Sequence, residues 1–113
     1  MSDSYKTHLS MLKALSDETR LKIIERLSSG TLCACEILEP FQITQPTLSY
    51  HMKQLTACQL VRAERIGAWM YYTLDTGRYQ QLLDFMAHLV IPNPESIRVP
   101  TTTCCVGNTQ EAK

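Results

Sequence analysis

After Leu60 the apolar pattern of the chain changes period. From Tyr5 to Leu55 apolar side chains recur at spacings of three and four, which is helical. In LVRAERIGAWMYYTL they alternate instead, and Gly67 divides the run into two short strands around a turn. A fold for this chain must therefore set one small β-hairpin behind a series of helices. No βαβ pattern is present.

The helices can be bounded residue by residue. Tyr5, Leu9, Leu12 and Leu15 line a first one. Ser16 is the expected N-cap of a second, ahead of the acidic first turn Asp17-Glu18, with Leu21, Ile24 and Leu27 inward and Gly30 at its end. A short third helix is expected over 32–39, closing at Pro40. A fourth begins at Thr44 with Pro46 in its first turn, where the missing N–H costs nothing. Leu48, Met52 and Leu55 form its inner face. From about Arg78 a last helix carries Tyr79, Leu82, Leu83, Met86, Leu89 and Val90, a stripe broader than a small core needs. Residues 1–91 thus read as one globular domain. Residues 92–113, starting at the PNP of Pro92–Pro94, read as a flexible cysteine-containing tail.

At 113 residues a domain buries its surface less efficiently than a larger one, so sharing apolar surface with a second copy would help. The net charge of zero excludes a uniformly basic nucleic-acid binder but not a local basic face. Between Thr44 and Tyr72 the charges are Lys53, Arg62 and Arg65 against Glu64 alone, while Asp17, Glu18, Glu25, Glu36 and Glu39 lie outside it. The N-terminus MSDSYKTHLS has no apolar signal region, and no apolar run approaches the roughly 20 residues of a membrane span. The expected location is the cytoplasm, where thiols stay reduced. Five cysteines there point to metal ligands, redox sensors or core filler more than to disulfides.

Helix, short helix, tight link, helix and hairpin is the order of a winged helix-turn-helix. The outer face of the fourth helix offers Gln45, Pro46, Thr47, Ser49, Tyr50 and Lys53. Polar tips near a helix N-terminus read base edges and phosphates in a major groove, and a cation holds the backbone. Arg62 and Arg65 beside Trp69 and Tyr71 suit a wing touching phosphate or minor groove. The competing reading of the helix is an ordinary solvated face, and of the two aromatics, a cover for the hairpin. His51 sits at the edge of the buried stripe, as a core hydrogen-bonding histidine or a phosphate contact.

ALSDETRLKIIERL, LCACE, TQPTLSYHMKQL and LVRAERIGAWMYYTL together resemble the ArsR family of winged-helix repressors that sense metals and metalloids. The resemblance covers roughly Leu12 to Leu74, with QPTLSYHMKQL its most specific block. It implies a homodimer built by the first and last helices, through Leu9, Leu12, Tyr79, Leu82, Leu83, Met86 and Leu89. It also implies a double-stranded, imperfectly palindromic operator as partner. One departure is Ala68, where family members often carry a basic residue after the wing glycine.

The resemblance also bears on the cysteines. Positions i and i+2 of a regular helix face nearly opposite sides, so Cys33 and Cys35 meet only if the helix is irregular there. In arsenic-responsive members, cysteines at these two places and a third further on bind As(III) or Sb(III). The third place is held here by Leu38, which cannot ligate. Soft trivalent arsenic favours three thiolates. Adjacent Cys104 and Cys105 in the tail are the expected source of the missing one, with Cys58 a lesser candidate. Other possibilities are a two-coordinate site at Cys33 and Cys35, a site centred on the tail, and inert cysteines. Cd(II), Pb(II), or oxidation and persulfidation of the thiols are the alternative signals. The family's last-helix metal pattern, Asp-x-His, is absent, so Asp84 and His88 read as a surface ion pair. His8 shows no evident partner. A thiol enzyme is the rival class; against it stand CxC in place of CxxC, no βαβ pattern and no nucleotide loop. A winged helix that binds protein instead of DNA is a third option.

Overall fold

The computed structural model describes residues 2–92, with side chains from residue 5. The tail cysteines Cys104 and Cys105, and most of the expected tail, lie outside the described residues. Five helices and three strands follow in the order α1 (Ser2–Leu15), α2 (Glu18–Leu27), β1 (Leu32–Cys33), α3 (Ala34–Leu38), α4 (Gln45–Ala57), β2 (Val61–Ile66), β3 (Trp69–Leu74) and α5 (Thr76–Leu89). This is the mainly α, winged helix-turn-helix architecture expected from the change of period.

The N-cap of α2 is Asp17, not Ser16: its carboxylate accepts from the Arg20 amide at 3.1 Å. Ser and Asp are comparable caps, and the sequence alone does not choose between neighbours. Thr44 caps α4 as expected, with Pro46 in its first turn. Asp75 caps α5, which therefore begins at Thr76, ahead of the expected Arg78. Gly30 takes φ +135°, a conformation that suits glycine, and delivers the chain into β1.

The expected third helix over 32–39 is in fact split. Leu32 and Cys33 are strand, paired antiparallel with Tyr72 and Tyr71, and only Ala34–Leu38 is helical. The sheet order is β1-β3-β2, so the hairpin strand β3 lies between the other two. β2 and β3 run in register from Val61↔Leu74 to Ile66↔Trp69, closed by a two-residue turn with Gly67 at φ +64°.

Met11, Ile23, Leu27, Ile37, Leu48, Met52, Leu55, Leu60 and Val61 are fully buried, so each element except β1, β3 and α5 places a side chain in the centre. Leu82 joins them from α5. The expected dimer residue Leu82 thus belongs to the protomer's own core, and Leu12 and Tyr79 also pack against it. Leu9, Leu83, Met86 and Leu89 remain exposed, with Tyr5, Val90 and Ile91. At the α1–α5 contact Tyr5 meets Phe85 edge-on, and His8 stacks on Phe85 at 4.1 Å, which supplies the partner the sequence did not suggest. His88 Nδ1 lies 2.8 Å from the Asp84 carbonyl, and the Asp84 carboxylate accepts from Gln80, so the expected Asp84–His88 ion pair is replaced by these contacts.

Leu55 has no exposed surface and ties α4 to the centre of the core. Leu55→Ala is expected to lower unfolding free energy by about 2–5 kcal/mol, through lost burial and the cavity left behind. Urea denaturation checks it.

Candidate functional site

Cys33 is the last residue of β1 and the N-cap of α3, with φ −83° and ψ 165°. Its pairing with Tyr71 holds it extended, and an N-cap side chain folds back over the first helical turn. Cys35 is the second residue of that turn. The two sulfurs accordingly lie 2.9 Å apart, Cys33 buried and Cys35 exposed. The i,i+2 conflict disappears because only one of the pair is helical.

Glu36 fixes this turn by accepting the Cys33 amide at 2.9 Å on Oε1. That backbone hydrogen bond holds the Glu36 carboxyl below the usual range, with the Cys33 side chain and the Arg26 guanidinium adding to the effect. Arg26 Nη2 donates to the Glu36 carbonyl at 2.8 Å and so ties α3 to α2. The Cys35 thiol is pushed upward, chiefly by its hydrogen bond with Cys33 and then by burial. One shared proton between two sulfurs makes a second ionisation costly.

Thiolate sulfurs sit about 2.3 Å from an ion such as zinc, so two sulfurs on one ion lie within about 4.6 Å of each other. The sulfurs are thus near enough to share one ion, but from 2.9 Å they must open by about 1 Å to reach the spacing of roughly 3.8 Å that tetrahedral bonds of that length give. Cys58 is elsewhere: it is buried, its Sγ donates to the Leu55 carbonyl at 3.4 Å, and it lines a cavity with Ser10, Lys13 and Gln54. Among the described residues, no group of three or more His, Cys, Asp or Glu side chains is placed to hold a metal ion.

A cleft of about 390 Å³ runs from Cys35 between α4 and the hairpin, lined by Gln45 and Ser49 on one side and Arg65, Trp69 and Tyr72 on the other. On α4, Gln45, Pro46, Thr47, Ser49, Tyr50 and Lys53 are all exposed, as expected of a reading face. His51 is turned inward at 9% exposure; its Nδ1 accepts from Arg20 Nε at 3.1 Å and lies 3.9 Å from the Asp17 carboxylate. It is a hydrogen-bonded core histidine, too buried for the phosphate contact that was the alternative. Arg20, missed in the sequence, also lies 5.9 Å from the Tyr50 ring centre and donates to the Ala14 carbonyl.

Arg62, expected at the DNA, keeps an exposed side chain. It stands at the base of the hairpin opposite Thr73 and pairs with the Asp75 carboxylate at 3.2 Å. Asp75 is held below its usual range by the Arg78 amide first and the Arg62 charge after it. The hairpin cation nearer the tip is Arg65, opposite Met70. Arg78 Nη2 further bonds the side chain of Gln59, whose φ of +68° ends α4.

A short helix, a link, an exposed polar helix and a hairpin carrying a cation define a winged helix-turn-helix DNA-binding protein. The model of the arsR family of bacterial regulatory proteins matches residues 17–63. The chain is 44% identical over 95 residues to an arsenical resistance operon repressor of Staphylococcus aureus, covering 84% of this chain and 88% of that one. To the repressor of the same name in Staphylococcus xylosus it is 46% identical over 83 residues, covering 74% and 76%. A homodimeric winged helix-turn-helix DNA-binding domain from Mycobacterium bovis superposes with TM-score 0.65 at 22% identity, over 77% of this chain and 82% of that one. The chain belongs to the ArsR family and is a transcriptional repressor, not a thiol enzyme. Among the described residues no helix is long and apolar enough to cross a membrane.

The raised Cys35 thiol has a measurable consequence. The thiolate is the nucleophile, so a raised value keeps Cys35 protonated and slow at neutral pH. Alkylation of Cys35 by iodoacetamide, followed by peptide mass spectrometry, is expected to lag free cysteine at pH 7 and to accelerate only above the ordinary cysteine range. A Cys35 rate equal to that of free cysteine across this range contradicts the shared-proton geometry.

Proposed function

We propose that this protein represses an arsenical resistance operon and leaves its operator when As(III) or Sb(III) is captured by Cys33, Cys35 and a third thiolate from Cys104 or Cys105. The observation that carries the reading is the 2.9 Å approach of two sulfurs at the entrance to the cleft beside α4. The names of the Staphylococcus relatives support the operon, and the chemistry of two soft donors supports the inducer. Sulfur from Cys33 and Cys35 replaces hydroxide on the metalloid, each thiol proton leaving in water. The extended backbone at Cys33 and the Glu36 bond to its amide then no longer hold the turn as they do in the free protein.

DNA is read by Gln45, Thr47, Ser49 and Tyr50 with Lys53 and Arg65 on phosphate, Pro46 shaping the first turn of the helix. The exposed face of Leu9, Leu83, Met86 and Leu89 serves as the homodimer interface. In this reading two recognition helices lie about 34 Å apart, one turn of an imperfect palindrome. The homodimeric Mycobacterium bovis domain supports that assembly.

Operator affinity measured with and without arsenite tests the switch. Wild-type protein is expected to lose about 5–150-fold in affinity, the range of coupling energies in such regulators. Cys33→Ser and Cys35→Ser are expected to keep operator bound in arsenite; release by both variants rules the site out. Truncation after Pro94 is expected to weaken arsenite binding while leaving operator affinity unchanged. Met86→Glu in the exposed face is expected to give monomers in sedimentation and to abolish operator binding. Persistent dimers contradict the assigned interface.

A further inference from the structure

Cys33 carries one of the sulfurs, and its backbone is also paired with Tyr71 in β3. β3 is the central strand of the sheet and runs without a break to the hairpin tip at Gly67 and Ala68. One residue before β1, the Thr31 hydroxyl lies 2.8 Å from the Thr73 hydroxyl of β3. The cysteine turn is therefore joined to the wing by a backbone ladder and a side-chain pair. Its connection to α4 is looser, a link over 39–44 that ends at the Thr44 cap. A displacement of Cys33 must either break its pairing with Tyr71 or carry β3 with it. At the far end of β3, Trp69 is 57% exposed, and it lines with Arg65 the cleft into which Cys35 opens.

We propose that the wing is the part the cysteine pair moves: capture of a soft ion by Cys33 and Cys35 shifts β1 against β3, and Arg65 and Trp69 leave the position from which the hairpin meets DNA. Thr31 and Thr73 are the positioning pair that holds β1 and β3 in register. The inference rests on the reading of Cys33 and Cys35 as the sensor and adds the route from that sensor to DNA.

Trp69 is the sole tryptophan, so its emission reports the wing directly. The test uses reduced, full-length protein titrated with sodium arsenite. Three readouts are followed: ultraviolet absorption of arsenic–sulfur bonds, Trp69 emission with its acrylamide quenching, and affinity for duplex DNA from upstream of the protein's own gene. Wild-type protein is expected to show a Trp69 change that saturates with the absorption. Thr31→Val/Thr73→Val is expected to keep the absorption midpoint while the arsenite-induced loss of DNA affinity shrinks about fivefold or more. Thr73→Ser, which keeps the hydroxyl, is expected to behave as wild type. Full absorption with unmoved Trp69 in the wild type overturns the inference and leaves the sensor reading standing. Absence of absorption overturns the sensor reading and the inference with it. The wild-type measurement decides the matter even if the double variant fails to fold.

Discussion

The antiparallel pairing of Cys33 with Tyr71 forces residue 33 into extended backbone immediately before a helix. Both sulfurs depend on this. In a continuous helix the two side chains would point about 200° apart around the axis. With Cys33 as the N-cap, its side chain lies over the turn that holds Cys35, and the sulfurs come to 2.9 Å. The Glu36 carboxylate on the Cys33 amide and the Arg26 guanidinium on the Glu36 carbonyl keep the turn in place. The geometry of the cysteine pair is thus built from backbone constraints.

The same pairing places the cysteine pair in the DNA-binding half of the molecule. β3 serves both the cysteine turn and the wing, and the cleft at Cys35 separates the wing from the recognition helix. The protein carries no net charge, so contact with DNA rests on local arrangement, not on a general field. Several cations are already engaged within the fold. Arg62 is drawn to Asp75 and Arg20 to His51 and Ala14, while Lys53 and Arg65 stay on the exposed side. Arg20 connects the end of α1 with α4, and the contacts of Arg62 and Arg78 with Asp75 and Gln59 connect the start of α5 with the wing base and the end of α4.

Most of this architecture could be read from periodicity. The helical stripes and the alternation after Leu60 located all the long elements, and the Thr44–Pro46 start of α4 followed from capping chemistry. What escaped has a common cause, since it depends on partners distant in sequence. A two-residue strand has too little alternation to be recognised, so β1 was absorbed into the following helix. Ser16 and Asp17 are both good caps, and the Arg20 amide decides between them. The apolar stripe of α5 is so broad that Leu82 and Leu83 could not be assigned to core or surface until α5 was placed against the other helices. Neither the bond between His51 and Arg20 nor the pair of Arg62 and Asp75 leaves any local signature. The positive φ of Gln59 has none either, because glycine or asparagine is the usual residue for that conformation.

X-ray absorption at the arsenic edge on the reduced, arsenite-loaded protein reads the central claim most directly. Three sulfur neighbours in the wild type, and fewer when Cys33 and Cys35 are replaced by serine, are what the account predicts. A first shell of oxygen alone, or a sulfur count that the serine replacements leave unchanged, contradicts it.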